Sequence, residues 1–173
     1  MSRILIFLGC TLAASAAPRF EFRDGDRVAF LGDGFIEREQ YEGWIEIAAT
    51  TDFPDRNVTF RNLGWSGDLP NGASRCGLSL LQAGMEPPEE GWRQLQNQLK
   101  TYQPNVLVTG YGMAASLPGG PTPEEFRKDF ERLLDEAKDM RVLVLGAPPR
   151  FPRQLGAATD AEEAHQASLL RAV

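Results

Sequence analysis

Three short stretches bring together the side chains and glycine turns from which a reaction site is ordinarily built: Gly32-Asp33-Gly34, Ser66-Gly67-Asp68 and Gly110-Tyr111-Gly112-Met113-Ala114. Each follows an apolar run. In an open parallel α/β sheet, functional groups gather beyond the carboxyl ends of the strands, where loops converge on a rigid frame. Attack of a hydroxyl on a carbonyl needs a nucleophile, a base within hydrogen-bond reach, and donors aimed at the developing oxyanion. Toward that chemistry the three turns offer backbone N–H groups at Gly34 and Gly67, one hydroxyl at Ser66, and carboxylates at Asp33 and Asp68. Trp65 and Tyr111, at neighbouring strand ends, suit either the wall of a sugar-sized pocket or packing over the rim of the sheet.

Other chemistries find less support. The sole histidine, His165, lies in Glu162-Glu163-Ala164-His165-Gln166, on an expected terminal helix, and reads as a solvent-facing residue rather than a base. Glu162 stands three residues before it, a spacing common on helices. Ser66 is the best placed substitute hydroxyl, but it has no evident base. Gly32-Asp33-Gly34 lacks the length and lysine of a phosphate loop and the spacing of a dinucleotide fingerprint. Asp33, Glu37 and Asp68 have no histidine or cysteine beside them, and aspartate is favoured in turns anyway, so neither a metal nor a cofactor is expected. Cys76, in the apolar helical stretch 73–81, reads as a buried, inert thiol.

These turns must be held by secondary structure, and four apolar runs alternate with four helical patterns. Strands are expected at 27–31, 58–62, 105–109 and 142–145, and helices at 40–51, 73–83, 90–102 and 123–140. Alternation of this kind implies a parallel sheet covered on both faces, an α/β fold. The helix from Pro123 is the clearest, with Thr122 as N-cap, Pro123 at the first helical position, Glu124 and Glu125 at the positive end, and Phe126, Phe130, Leu133, Leu134 and Ala137 on one face. A further helix is expected from Asp160 onward, with no fifth strand after it.

The order and rough spacing of the three turns resemble the first three motifs of the SGNH (GDSL-type) hydrolases, over the chain from about Asp24 to its end. The resemblance implies a three-layer α/β/α, flavodoxin-like fold with strand order 2-1-3-4-5, here without the last strand, and an esterase-type ancestry. It also implies which residues matter. The nucleophile of Gly-Asp-Ser falls on Gly34, and the asparagine of Gly-x-Asn falls on Ala114. Gly67 keeps the backbone donor of the second motif, and the Asp-x-x-His pair of the fourth motif is absent from these 173 residues. The expected outcome is an esterase-like domain that does not hydrolyse. The alternatives are a binding module that holds a glycan or acyl ligand around Gly34, Gly67, Trp65 and Tyr111, or one piece of a longer SGNH-family product.

Composition bounds the remainder. At 42% hydrophobic and 24% charged residues, 173 residues are ordinary for one domain. A net charge of −6 without a basic run argues against nucleic acid or an anionic membrane as partner. Arg3, the apolar run 4–14 and Ala14-Ser15-Ala16 read as a signal peptide over residues 1–16, leaving 17–173 as an exported domain. A lipoprotein signal at Cys10 is the weaker reading. No later stretch is long and apolar enough for an integral span. Without a fifth strand, 142–145 would be an exposed apolar edge, from which self-association is expected.

Overall fold

The structure, a computed structural model, describes residues 20–146 and 160–171. The expected signal peptide and most of the loop after the fourth strand lie outside them. Four parallel strands, β1 (Arg27–Gly32), β2 (Thr59–Asn62), β3 (Val106–Gly110) and β4 (Arg141–Val144), form one sheet in the order β2-β1-β3-β4. Helices α1 (Gly34–Glu42) and α2 (Trp44–Asp52) follow β1. A 3₁₀ turn (Ala73–Arg75), α3 (Leu78–Gln82) and α4 (Glu89–Tyr102) follow β2, and α5 (Pro123–Glu136) and α6 (Asp160–Arg171) follow β3 and β4.

The central strands β1 and β3 are apolar on both faces because both faces are covered. Val28, Phe30, Val106 and Val108 point toward α1 and α2, where they meet Ile36, Ala49 and Phe22. Ala29, Leu31 and Leu107 point the other way, onto Trp92, Leu95 and Leu99 of α4, Phe126, Phe130 and Leu133 of α5, and Leu169 of α6. The result is three layers around a buried sheet. Helix α5 starts as its sequence dictates: the Thr122 hydroxyl accepts from the Glu125 N–H, and the Glu125 carboxylate accepts from the Thr122 N–H, a reciprocal cap.

Two expected helices are built differently. The one placed at 40–51 begins at Gly34, directly after the turn, and breaks at Gly43, whose φ of 66° ends α1 in a left-handed cap that also opens α2. Asp33 starts α1 by accepting from the Phe35 N–H. The helix placed at 73–83 is a 3₁₀ turn and a short α3, separated at Cys76 and Gly77. Cys76 is thus buried in a connection rather than within a helix.

At one sheet edge, β4 pairs only with β3 among the described residues, and Val144 is 47% exposed. Among the described residues, no helix is long and apolar enough to cross a membrane.

Candidate functional site

The carboxyl ends of β1, β2 and β3 lie side by side, and close packing of main chain there fixes the turns. A Cβ on Gly32 would stand 2.1 Å from the Gly110 carbonyl oxygen, and one on Gly64 would stand 2.4 Å from the Glu37 nitrogen. Neither position has room for a side chain. The Asp33 N–H donates to the Gly110 carbonyl at 3.2 Å, and the Trp65 N–H donates to the Gly32 carbonyl at 3.0 Å, so all three turns are tied through the end of β1.

Asp33, expected at a pocket, is instead buried at 1% exposure and spends its carboxylate on the frame. One oxygen accepts from the Phe35 N–H at 3.2 Å, and the other from the Ala114 N–H at 3.0 Å, joining the first turn to the third. Burial pushes the Asp33 carboxyl above its ordinary range, against the pull of these N–H groups.

Gly34, expected from the motif resemblance at the nucleophile position, opens α1 directly after the turn. A Cβ there would lie 3.6 Å from the Met113 Cε and 3.7 Å from the Ser66 Oγ, ordinary contact distances. The position has room for a side chain. As the first helical residue, Gly34 has an N–H without an intrahelical acceptor, pointing out of the positive end of α1. Ser66 approaches from the second turn, and its hydroxyl donates to Glu37 Oε2 at 3.2 Å. Gly67, with φ of 72°, turns the chain so that its carbonyl accepts from the Ser74 hydroxyl at 2.6 Å. Ala114 is half-buried with a methyl side chain, and its own N–H is committed to Asp33.

Tyr111 is buried as well. It continues the alternation of Leu107 and Thr109 on the α5 side of β3, so its ring goes into the core, 3% exposed and edge-on to Phe130 at 6.5 Å. Its hydroxyl donates to Asp68 Oδ2 at 3.3 Å. Trp65 is 45% exposed and remains at the mouth of the site.

Arg75 was not singled out in the sequence. Its guanidinium, 1% exposed, donates from Nε to Asp68 Oδ2 at 2.8 Å, from Nη1 to Gln98 at 2.6 Å and from Nη2 to the Leu63 carbonyl at 2.8 Å. It also lies 6.0 Å from the Trp65 ring centroid. This one residue locks the second turn against α4. Burial raises the Asp68 carboxyl above its ordinary range, opposed by Arg75, and burial with the nearby Asp68 charge raises Tyr111 well above its own. An arginine inside an apolar stretch, seven residues after an aspartate, is the signal that would have found the pair.

His165 lies on α6, which packs through Leu169 into the core beside α5. Among the described residues no three His, Cys, Asp or Glu side chains gather as a metal-ligand set. Beside Ser66 and Trp65 a cleft of about 830 Å³ runs along β2, between α1 and α4.

No family model matches the sequence, and no curated protein matches it. Solved structures do. Axe2, an acetyl xylan esterase from Geobacillus stearothermophilus, matches with a TM-score of 0.60 at 13% identity, over 88% of this chain and 72% of that one. The psychrotrophic esterase EstA from Pseudoalteromonas sp. matches with a TM-score of 0.54 at 16% identity, over 85% of this chain and 71% of that one. This is the SGNH-hydrolase fold. A family two carbohydrate esterase from Clostridium thermocellum, in complex with cellohexaose, matches with a TM-score of 0.51 at 16% identity, over 91% of this chain and 51% of that one. The expected architecture and strand order, 2-1-3-4, are those observed.

Proposed function

We propose that the chain is an SGNH-type domain that keeps the esterase scaffold without the reaction. The observation that carries this reading is Gly34: the turn, the helix start and the space for a nucleophile are all in place, and no side chain fills it. Loss of the nucleophile alone costs several orders of magnitude in rate, and the methyl of Ala114 removes an oxyanion donor worth about 10²-fold or more. The N–H groups of Gly34 and Gly67 are the donors assigned to what remains. Ser66 is not assigned the nucleophile's role, because its hydroxyl donates to the Glu37 carboxylate at 3.2 Å and not to an imidazole of the kind that activates the serine of a Ser-His pair. The chain's one histidine, on α6, is assigned no part in the site.

A fluorophosphonate probe, which bonds covalently to an activated serine, tests this directly. Intact-mass measurement is expected to find no adduct, and an adduct mapped to Ser66 would overturn the reading.

The half-exposed Trp65 beside an open polar cleft favours a second role, recognition of a glycan or acyl ligand without cleavage. Export rests on Arg3, the apolar run 4–14 and Ala14-Ser15-Ala16, and secretion with a new N-terminus at Ala17 is its expected mark. The exposed Val144 on β4 supports self-association, readable by sedimentation.

A further inference from the structure

Two adjoining hollows run along the outer side of β2. The larger, about 830 Å³, is lined by Trp65, Ser66, Glu37, Gln40, Arg61 and Gln98. The smaller, about 140 Å³, is lined by Tyr41, Glu42 and Gly43 and shares Gln40, Glu46 and Asn62 with the first. Together they make one groove with an aromatic ring at each end, Trp65 at 45% exposure and Tyr41 at 76%.

The groove's chemistry selects among ligand classes. Four carboxylates, Glu37, Glu39, Glu42 and Glu46, set against the single guanidinium of Arg61 disfavour a phosphorylated or otherwise polyanionic ligand. Carboxylates, amides and a hydroxyl along the floor disfavour an acyl chain, which could not satisfy them on burial. A neutral polyhydroxyl chain suits both features. Its hydroxyls donate to carboxylates and accept from amides, while the C–H face of a pyranose ring lies flat on an aromatic ring.

The polar floor is already ordered. Glu37 Oε1 accepts from Gln40 Nε2 at 3.0 Å, and Oε2 accepts from the Ser66 hydroxyl at 3.2 Å, which leaves each oxygen a further lone pair for a ligand hydroxyl. The Trp65 main chain is fixed by its N–H bond to the Gly32 carbonyl, and the Arg75 guanidinium lies 6.0 Å from its ring centroid. The backbone that carries the ring therefore needs no ordering on binding.

We propose that this groove, from Trp65 to Tyr41, binds a linear neutral oligosaccharide, with the near sugar on Trp65 and a farther one on Tyr41. The proposal rests on the non-cleaving reading above, and it narrows the ligand to a glycan lying along the β2 side of the molecule. A further consequence is a dependence on chain length, since the two aromatic rings are separated by the polar floor.

The test is calorimetric titration of the purified chain with cellohexaose, xylohexaose, cellobiose and hexanoate. At least one hexasaccharide is expected to bind more tightly than cellobiose. Trp65→Ala is expected to weaken it about tenfold, and Tyr41→Ala to weaken the hexasaccharide while leaving cellobiose unchanged. Both rings are exposed, so circular dichroism should find both variants folded. Absence of binding by either hexasaccharide up to about 10 mM overturns the proposal, as does equal binding by wild type and both variants, or binding of hexanoate in preference to the sugars. Turnover of p-nitrophenyl acetate in the same preparation overturns the non-cleaving reading instead, whatever the titrations give.

Discussion

Gly32 and Gly34 stand two residues apart on the same turn, and a Cβ meets entirely different surroundings at each. At Gly32 it would lie 2.1 Å from a main-chain carbonyl of β3, which cannot move without parting the sheet; at Gly34 it would meet a methionine methyl and a serine hydroxyl at 3.6 and 3.7 Å. The first glycine is required by packing and the second is not. The turn is therefore under tight steric constraint at Gly32 and free of it two residues later, at the position where we propose that a reactive group is missing.

The largest expected effect sharpens the scaffold side of that contrast. Arg75→Ala leaves Asp68 buried without its ion pair, and the folded state should lose about 3–5 kcal/mol in urea unfolding. A loss under about 1 kcal/mol would mean that the second turn is held by something else. Next come the two glycines. Gly32→Ala should cost about 1–3 kcal/mol or prevent folding, whereas Gly34→Ala, at a helix start with room for the methyl, should be neutral or stabilising by about 0.4–1 kcal/mol. Equal losses at the two positions would break the comparison outright.

The smallest effect concerns pH. The Asp33 and Asp68 carboxyls lie above their ordinary range in the folded chain and return to it on unfolding. Between the two values the folded state binds more protons, so these groups make stability rise as pH falls through the raised values and level off below the ordinary one. Asp33→Asn should reduce that acid-side gain, measured as urea midpoints from neutrality down to about pH 4. An unchanged profile would show that Asp33 is already charged at no cost.

Much of the frame was legible because it rests on local rules. The cap at Thr122 and Pro123, the apolar runs of β1 and β3, and the turns after each strand all follow from residue type and spacing. Three features did not. The break at Gly43 depends on a left-handed cap that a helical hydrophobic pattern does not reveal. Tyr111 sits on the face of β3 that α5 covers, and which face is covered is a property of the whole sheet. Arg75 is buried only because Asp68, Gln98 and the Leu63 carbonyl converge on it from three elements, a tertiary fact carried by no single stretch. In the candidate site, the positions of Gly34 and Ala114 just beyond the ends of β1 and β3 could be read from the apolar runs before them, whereas the commitment of Asp33 to the Phe35 and Ala114 N–H groups could not.

The central claim is that this scaffold, vacant at position 34, does not cleave esters. The most direct measurement is the rate of p-nitrophenyl acetate and butyrate hydrolysis by the purified chain beside its Ser66→Ala variant. Wild type and variant are expected to be indistinguishable from buffer; turnover by wild type that Ser66→Ala abolishes would contradict it.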